Sequence, residues 1–174
     1  AAVQLTSTGN ITENQEIALA KIREAAGNGA RLIVLPEATS QNFRSGRLDE
    51  QAQSLEGPFA TEIQALAEEL EVTVVAGMFC PADTVERDGK TINRVSNTAL
   101  IAGPGVLGGY DKIHTYDAFD YRESDTVLAG ESLVAFDVDD LVVGVATCYD
   151  IRFPEQFKEL ASQGAQLIVV PTSW

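Results

Sequence analysis

The chain has 174 residues, 45% of them hydrophobic and 22% charged, which is ordinary globular composition. Twenty-six acids against twelve bases leave a formal charge of −14. The bases are scattered, which argues against nucleic acid or an anionic membrane as a partner, because phosphate binding needs clustered Lys and Arg.

The predicted elements alternate between strand and helix. "AAVQL" reads as a strand already under way. "ITENQEIALAKIREAAGNGA" reads as a helix, with Thr12 and Gln15 in capping-box spacing and "GNG" at 27–29 as its stop. "RLIVLPE" is a short, continuously apolar run, as expected of a strand buried on both faces. In "GPFATEIQALAEELE", Phe59, Ile63, Leu66 and Leu70 form one helical stripe. "VTVVAGMF" is the next strand. Asp88-Gly89 signals a hairpin turn into the strand of "NRVSNTALIAG". "GVLGGYDKI" and "SLVAFDVDDLVVGVAT" give further strands, the latter turning at Asp139-Asp140. "FPEQFKELASQG" is a helix and "AQLIVVPTSW" a last strand.

This pattern predicts an α/β fold with mixed parallel and antiparallel pairing. No linker or low-complexity stretch divides the chain, so residues 1–174 are expected to form one domain. Both ends read as cut, and the expectation is a domain truncated after Trp174. No apolar run approaches the ~20 residues of a membrane span. The start lacks a secretory pattern, and two cysteines, Cys80 and Cys148, are too few for a disulfide framework. A cytoplasmic protein with reduced thiols is expected.

"GNGARLIVLPE" (27–37) and "SQGAQLIVVPT" (162–172) echo each other. Each is a helix end, a Gly-Ala turn, a short apolar strand and a proline. The echo suggests a pseudo-symmetric core, although chance similarity between two α-then-β units would look the same. After the proline the first copy carries Glu37 and the second Thr172.

Sites in open α/β sheets lie at the carboxyl ends of strands. Glu37, Lys112 and Cys148 occupy such ends. Cys148, in "VATCYDIRFPE", ends an apolar strand and precedes a helix. Backbone N–H groups at such a turn can activate a thiol and hold an oxyanion. The bland alternative is a small buried hydrophobe. Glu37 follows a proline that closes a buried strand, where a carboxylate is costly unless paired, hydrogen-bonded or protonated. It fits a general base, or a cap or loop acid. Lys112, in "GYDKIHTYD", fits an oxyanion stabiliser, or a surface lysine paired with Asp111 or Asp117. His114 is the only histidine. A Cys148–His114 dyad is conceivable, while one His with two Cys makes no ordinary zinc site.

Read together, "LPE", "DKIH" and "CYDIRFPE" resemble the glutamate–lysine–cysteine signature of the carbon–nitrogen hydrolase (nitrilase) superfamily. The similarity covers the whole chain, and the cysteine and lysine motifs most resemble the Nit branch, with its ω-amidases and deaminated-glutathione amidases. The resemblance implies a four-layer α-β-β-α sandwich. It implies Cys148 as nucleophile, Glu37 as general base, and Lys112 with the backbone N–H of Tyr149 as oxyanion stabilisers. Glu123 is the best match to the family's second glutamate and would position Lys112 or the substrate; otherwise it is a loop acid beside Arg122. The implied reaction is hydrolysis of a small amide through a cysteine thioester, with release of ammonia and no metal or organic cofactor. The substrate would carry a distant carboxylate, which Arg152 or Arg122 could bind by bidentate hydrogen bonds. Arg152 would otherwise pair with Glu155 or Asp150. Homo-oligomerisation is also implied. Nitrile or N-carbamoyl hydrolysis, a redox-sensing thiol and a non-catalytic α/β binding module remain open.

Overall fold

The computed structural model describes residues 1–173; the expected truncation after Trp174 lies outside them. Helix α1 (Ile11–Gly27) starts because the Asn10 side chain accepts from the amides of Thr12 (2.9 Å) and Glu13 (3.2 Å). The expected Thr12–Gln15 box does not form, since Thr12 lies inside the first turn and the extended Asn10 takes the cap. The helix stops at Gly29, whose φ of +87° suits glycine. Strand β1 (Leu32–Val34) follows, then α2 (Pro58–Glu69), which opens on a proline where no intrahelical N–H is needed. The predicted stripe points inward, with Phe59 and Ile63 fully buried.

Strands β2 (Thr73–Arg87) and β3 (Lys90–Gly103) form a long hairpin. Asp88 and Gly89 at its tip have φ of +52° and +69°, as the predicted two-residue turn requires. β2 runs well beyond the expected "VTVVAGMF". Its outer half is mostly exposed and is held by cross-strand pairing with β3 rather than by burial. β4 (Val106–Asp111) pairs antiparallel with β3. Residues 115–131, to which the sequence patterning assigned no element, form a small hairpin of β5 (Asp117–Ala118) and β6 (Tyr121–Arg122), a 3₁₀ turn at Glu123–Asp125, and β7 (Val127–Leu128) beside β3. β8 (Val134–Val138) and β9 (Leu141–Val145) turn at Asp139-Asp140. A 3₁₀ turn (Cys148–Arg152), α3 (Pro154–Ser162) and β10 (Leu167–Val169) complete the chain.

The first predicted strand, "AVQLT", is reduced to one parallel bridge between Ala2 and Val34. The amide of Val3 donates to Val34 and that of Val34 to Ala1, at 2.8 and 2.9 Å. The next donor in register would come from Pro36, which has no N–H, so the ladder ends there.

Four layers result. Helices α1 and α2 bury Ile22, Phe59 and Ile63 against Ile33, Val74 and Leu100 of the five-stranded sheet β1-β2-β3-β4 with β7. The opposite face packs Val75, Ile101 and Tyr110 on Val143, Val145 and Val169 of the three-stranded sheet β10-β9-β8. α3 covers that sheet from outside, with the methyls of Leu160 3.2 Å from where a Cβ on Gly144 would stand. Each large apolar side chain fully buried in these layers contributes roughly 1.5–3 kcal/mol. This is the α-β-β-α sandwich that the resemblance implied.

The sequence echo is also an echo in hydrogen bonding. Ala30 N donates to Ala25 O and Ala165 N to Leu160 O, at 3.1 and 3.0 Å. Gly29 and Gly164 both take positive φ. β1 runs parallel to β2, and β10 runs parallel to β9. Gly77 N donates to Pro36 O (3.0 Å), and Cys148 N donates to Pro171 O (2.9 Å). The two sheets therefore present matched strand ends to each other, with Glu37 at one and Cys148 near the other.

Candidate active site

Glu37 sits just past the end of β1, where the chain leaves the sheet through Pro36. Gly77 of β2 lies directly behind it. A Cβ on Gly77 would stand 2.5 Å from Ala38 N and 2.6 Å from Glu37 Cα, so only glycine permits this approach. Ala38 takes a left-handed φ of +57° as the chain turns. The Glu37 carboxylate is thus held in a buried position, accepting at Oε2 from the amide of Ser173 (3.1 Å).

Lys112 follows β4 and is almost fully buried. Its Nζ donates to Glu37 Oε1 at 3.0 Å and to Glu123 Oε2 at 2.9 Å. Burial alone would lower the ammonium's pKa, but the two carboxylates outweigh it and push it up to about 12. Lys112 is therefore no surface lysine, and Asp111 is turned away to accept from the Thr98 hydroxyl. Glu123 is buried too, not a loop acid paired with Arg122. It also accepts from the amide of Tyr116 (2.6 Å), while Arg122 leans on Asp125.

Cys148 opens the 3₁₀ turn after β9 with a φ of +46°. A non-glycine residue there costs about 1–3 kcal/mol and persists where its surroundings impose it. The imposing contacts are the Cys148 N–H bond to Pro171 and the side chain of Asp150, which accepts from Thr147 N at 2.8 Å. The thiol is half-buried and close enough to Glu37 and Lys112 to feel both charges. Burial, then the charge of Glu37, push its pKa up to about 11, against the opposing pull of Lys112. Tyr149, second in the turn, has its N–H ahead of the first intrahelical bond, as an oxyanion donor needs.

The structure thus brings Glu37, Lys112, Glu123 and Cys148 to one place. It separates His114 from them. The His114 Nδ1 and backbone N–H both face Asp150 Oδ1, at 2.8 and 3.0 Å, and the ring stacks on Phe153. Cys80 is half-buried in β2, packed against the helix-side core. Arg152 is exposed and makes no ion pair among the described residues, so the alternative pairing with Glu155 or Asp150 is not formed. No cluster of His, Cys, Asp or Glu among the described residues suits a metal ion.

Three participants were not singled out from the sequence. Asn97 donates through Nδ2 to Glu37 Oε1 (2.8 Å) and Glu123 Oε1 (3.0 Å). Asp150, fully buried, accepts from Thr147, His114 and the Tyr110 hydroxyl (2.6 Å). Tyr110 in turn accepts from Gln156 (2.8 Å). The available signal was a polar Ser96-Asn97-Thr98 triplet inside an apolar strand, and polar tips on otherwise core-facing residues.

The Carbon-nitrogen hydrolase family model matches residues 1–174. The chain belongs to the carbon-nitrogen hydrolase family. Hydrolase Rv0480c of Mycobacterium tuberculosis is 43% identical over the whole chain, which covers 60% of that protein. A deaminated glutathione amidase of Escherichia coli O157:H7 is 34% identical, with 100% of this chain and 65% of that protein covered. The solved amidase from Nesterenkonia sp. superposes with a TM-score of 0.80 at 21% identity, covering 99% of this chain and 64% of that one. The chain thus spans 60–65% of the length of these three proteins, and the last comparison shows that it shares that amidase's fold.

Proposed function

We propose that this chain carries the catalytic site of a thiol amidohydrolase acting on a small amide. The observation that carries the reading is the buried Glu37–Lys112 pair at 3.0 Å, with the Cys148 thiol close enough to feel the charge of the same carboxylate. A thiol with its pKa pushed up to about 11 is protonated near neutral pH. It needs a base beside it, and Glu37 is that base.

In the first half, the Cys148 sulfur attacks the amide carbon as its proton passes to Glu37. Lys112 and the N–H of Tyr149 receive the charge that grows on oxygen. The C–N bond breaks, Glu37 returns the proton to nitrogen, and ammonia leaves a thioester. In the second half, water attacks the thioester while Glu37 takes its proton. The C–S bond breaks, Glu37 returns the proton to sulfur, and the acid departs from the restored thiol. Glu123 keeps Lys112 aimed. Because Lys112 already bears two carboxylates, it stays charged through both halves.

Arg152, exposed and without an ion pair among the described residues, suits a substrate carboxylate. The name of one relative, deaminated glutathione amidase, favours an amide over a nitrile or N-carbamoyl compound. We place residues 1–174 in one domain of a cytoplasmic homo-oligomer. Ile151 and Leu167, exposed apolar side chains flanking α3, support the oligomer, which light scattering reads.

The test is ammonia release from a panel of small amides, nitriles and N-carbamoyl compounds, with Cys148→Ala as control. Release from amides by the unaltered protein alone is the expected result. Release only from nitriles or N-carbamoyl compounds would move the reading within the family. Release unaffected by Cys148→Ala would end it.

A further inference from the structure

Asn97 lies on β3 opposite Phe79, almost fully buried, between Ser96 and Thr98 in an otherwise apolar stretch of strand. Its backbone carbonyl accepts from Lys112 N at 2.9 Å. Its side-chain nitrogen has two protons, and each meets a carboxylate oxygen, Glu37 Oε1 at 2.8 Å and Glu123 Oε1 at 3.0 Å. The orientation of the amide follows from chemistry, since an ionised carboxylate accepts and does not donate. The other end of the amide is the reverse case. Asn97 Oδ1 is buried with no hydrogen-bond partner among the described residues. A buried acceptor left alone is unfavourable. The position therefore retains an asparagine for its two donors, not for its carbonyl.

The need for those donors follows from the charge count. Two buried carboxylates share one ammonium, that of Lys112. The cluster carries one excess negative charge where solvent cannot screen it. A second cation would neutralise it but would compete with Lys112 for an oxyanion. A carboxamide supplies two hydrogen bonds and no charge. Its geometry also divides the oxygens of Glu37. Oε1 accepts from both Asn97 and Lys112, which uses its two lone pairs. Among the described residues Oε2 accepts only from the Ser173 amide, and it is the oxygen left for a thiol or water proton.

We propose, resting on the amidohydrolase reading of the site, that Asn97 is a positioning residue: it holds Glu37 and Glu123 ionised on either side of Lys112 and leaves Glu37 Oε2 as the working base. The ionisable groups around Glu37 are Lys112, Glu123, Cys148 and Tyr121, whose phenol feels the first two and Glu37 itself. Asn97 touches no reacting atom, so its removal lowers kcat and leaves KM near its original value.

The experiment compares Asn97→Ala and Asn97→Ser with the unaltered protein. Ser keeps one donor. Three quantities are read: the pH profile of amide hydrolysis, the pH profile of Cys148 alkylation by iodoacetamide, and the melting temperature. Loss of donors to ionised carboxylates disfavours their charged forms. The acid limb of hydrolysis therefore moves to higher pH, further for Ala than for Ser. The kcat falls by about 10–100-fold in the same order, as for other small misplacements of catalytic groups. Folded variants whose acid limbs coincide with the unaltered protein overturn the proposal, whether or not kcat drops, because a packing role would lower kcat without moving the limb. If Asn97→Ala does not fold, Asn97→Ser decides alone. Alkylation needs no turnover. If the protein hydrolyses nothing in the panel, a shift of the alkylation profile in the variants still supports Asn97's hold on Glu37, and its absence still overturns it. Failure of the amidase reading and failure of this inference are thus separable.

Discussion

The Cys148 amide donates to the Pro171 carbonyl at 2.9 Å, and this bond ties the thiol-bearing turn to the strand that lies beside it. The matching bond in the other half joins Gly77 to Pro36, just ahead of Glu37. Glu37 and the Cys148 thiol are therefore each fixed by a strand end of the same construction, on two sheets that face one another.

Gly77 is the first place to test that arrangement. A methyl group there would meet Ala38 N at 2.5 Å and the backbone of Glu37 at 2.6 Å. Gly77→Ala is expected to destabilise the fold by about 1–3 kcal/mol through overpacking. It is also expected to lower kcat by about 100-fold, because Glu37 is pushed off the thiol. Full activity with an unchanged urea midpoint would mean the backbone yields without moving the carboxylate.

Asp150 supports the thiol from below, linking the Cys148 turn to His114 and Tyr110 on the lysine side of the site. Asp150→Asn places an NH₂ group among donors that need an acceptor. A loss of about 3 kcal/mol is expected from the unpaired buried groups. The two site halves also lose their tether, so hydrolysis falls further than stability alone explains. Activity measured well below the melting temperature checks this.

The pH dependence of Cys148 alkylation reports its neighbours. Burial raises its pKa first and the Glu37 charge next, while Lys112 opposes them. Glu37→Gln removes a raising charge, so the alkylation curve moves to lower pH even as hydrolysis stops. Lys112→Met removes the lowering charge and moves the curve to higher pH. It also strands two buried carboxylates, at a cost of about 3–5 kcal/mol. Mass-spectrometric labelling over a pH series reads both directions.

Alkaline stability follows from the same shifts. Cys148 rises from an ordinary 9.0 to about 11, and Lys112 from 10.5 to about 12. Both bind their protons more tightly when folded. Their contribution is complete below pH 9 and is lost as pH climbs through the folded values. The urea midpoint is expected to fall progressively from about pH 9 to 12. In Cys148→Ala the decline should begin later, nearer the range where Lys112 titrates.

The sequence alone determined the elements whose cause is local. The α2 stripe, the Asp88-Gly89 turn and the Gly29 and Gly164 stops depend on residues a few positions apart, and each formed as read. Glu37, Lys112 and Cys148 were legible because each ends an apolar strand and their motifs resemble a known family. Only tertiary structure decided what surrounds them. Asn97 lies 60 positions from Glu37 and 26 from Glu123, and Tyr110 lies 40 from Asp150. No periodicity encodes a hydrogen bond across such distances. The first strand shrank to a bridge because its neighbour reaches a proline at the next register position. The segment after Lys112 took its shape from Glu123, whose buried carboxylate must find donors wherever the fold supplies them. Local pattern chose the strands and helices, while the requirement that every buried charge be partnered chose how they meet.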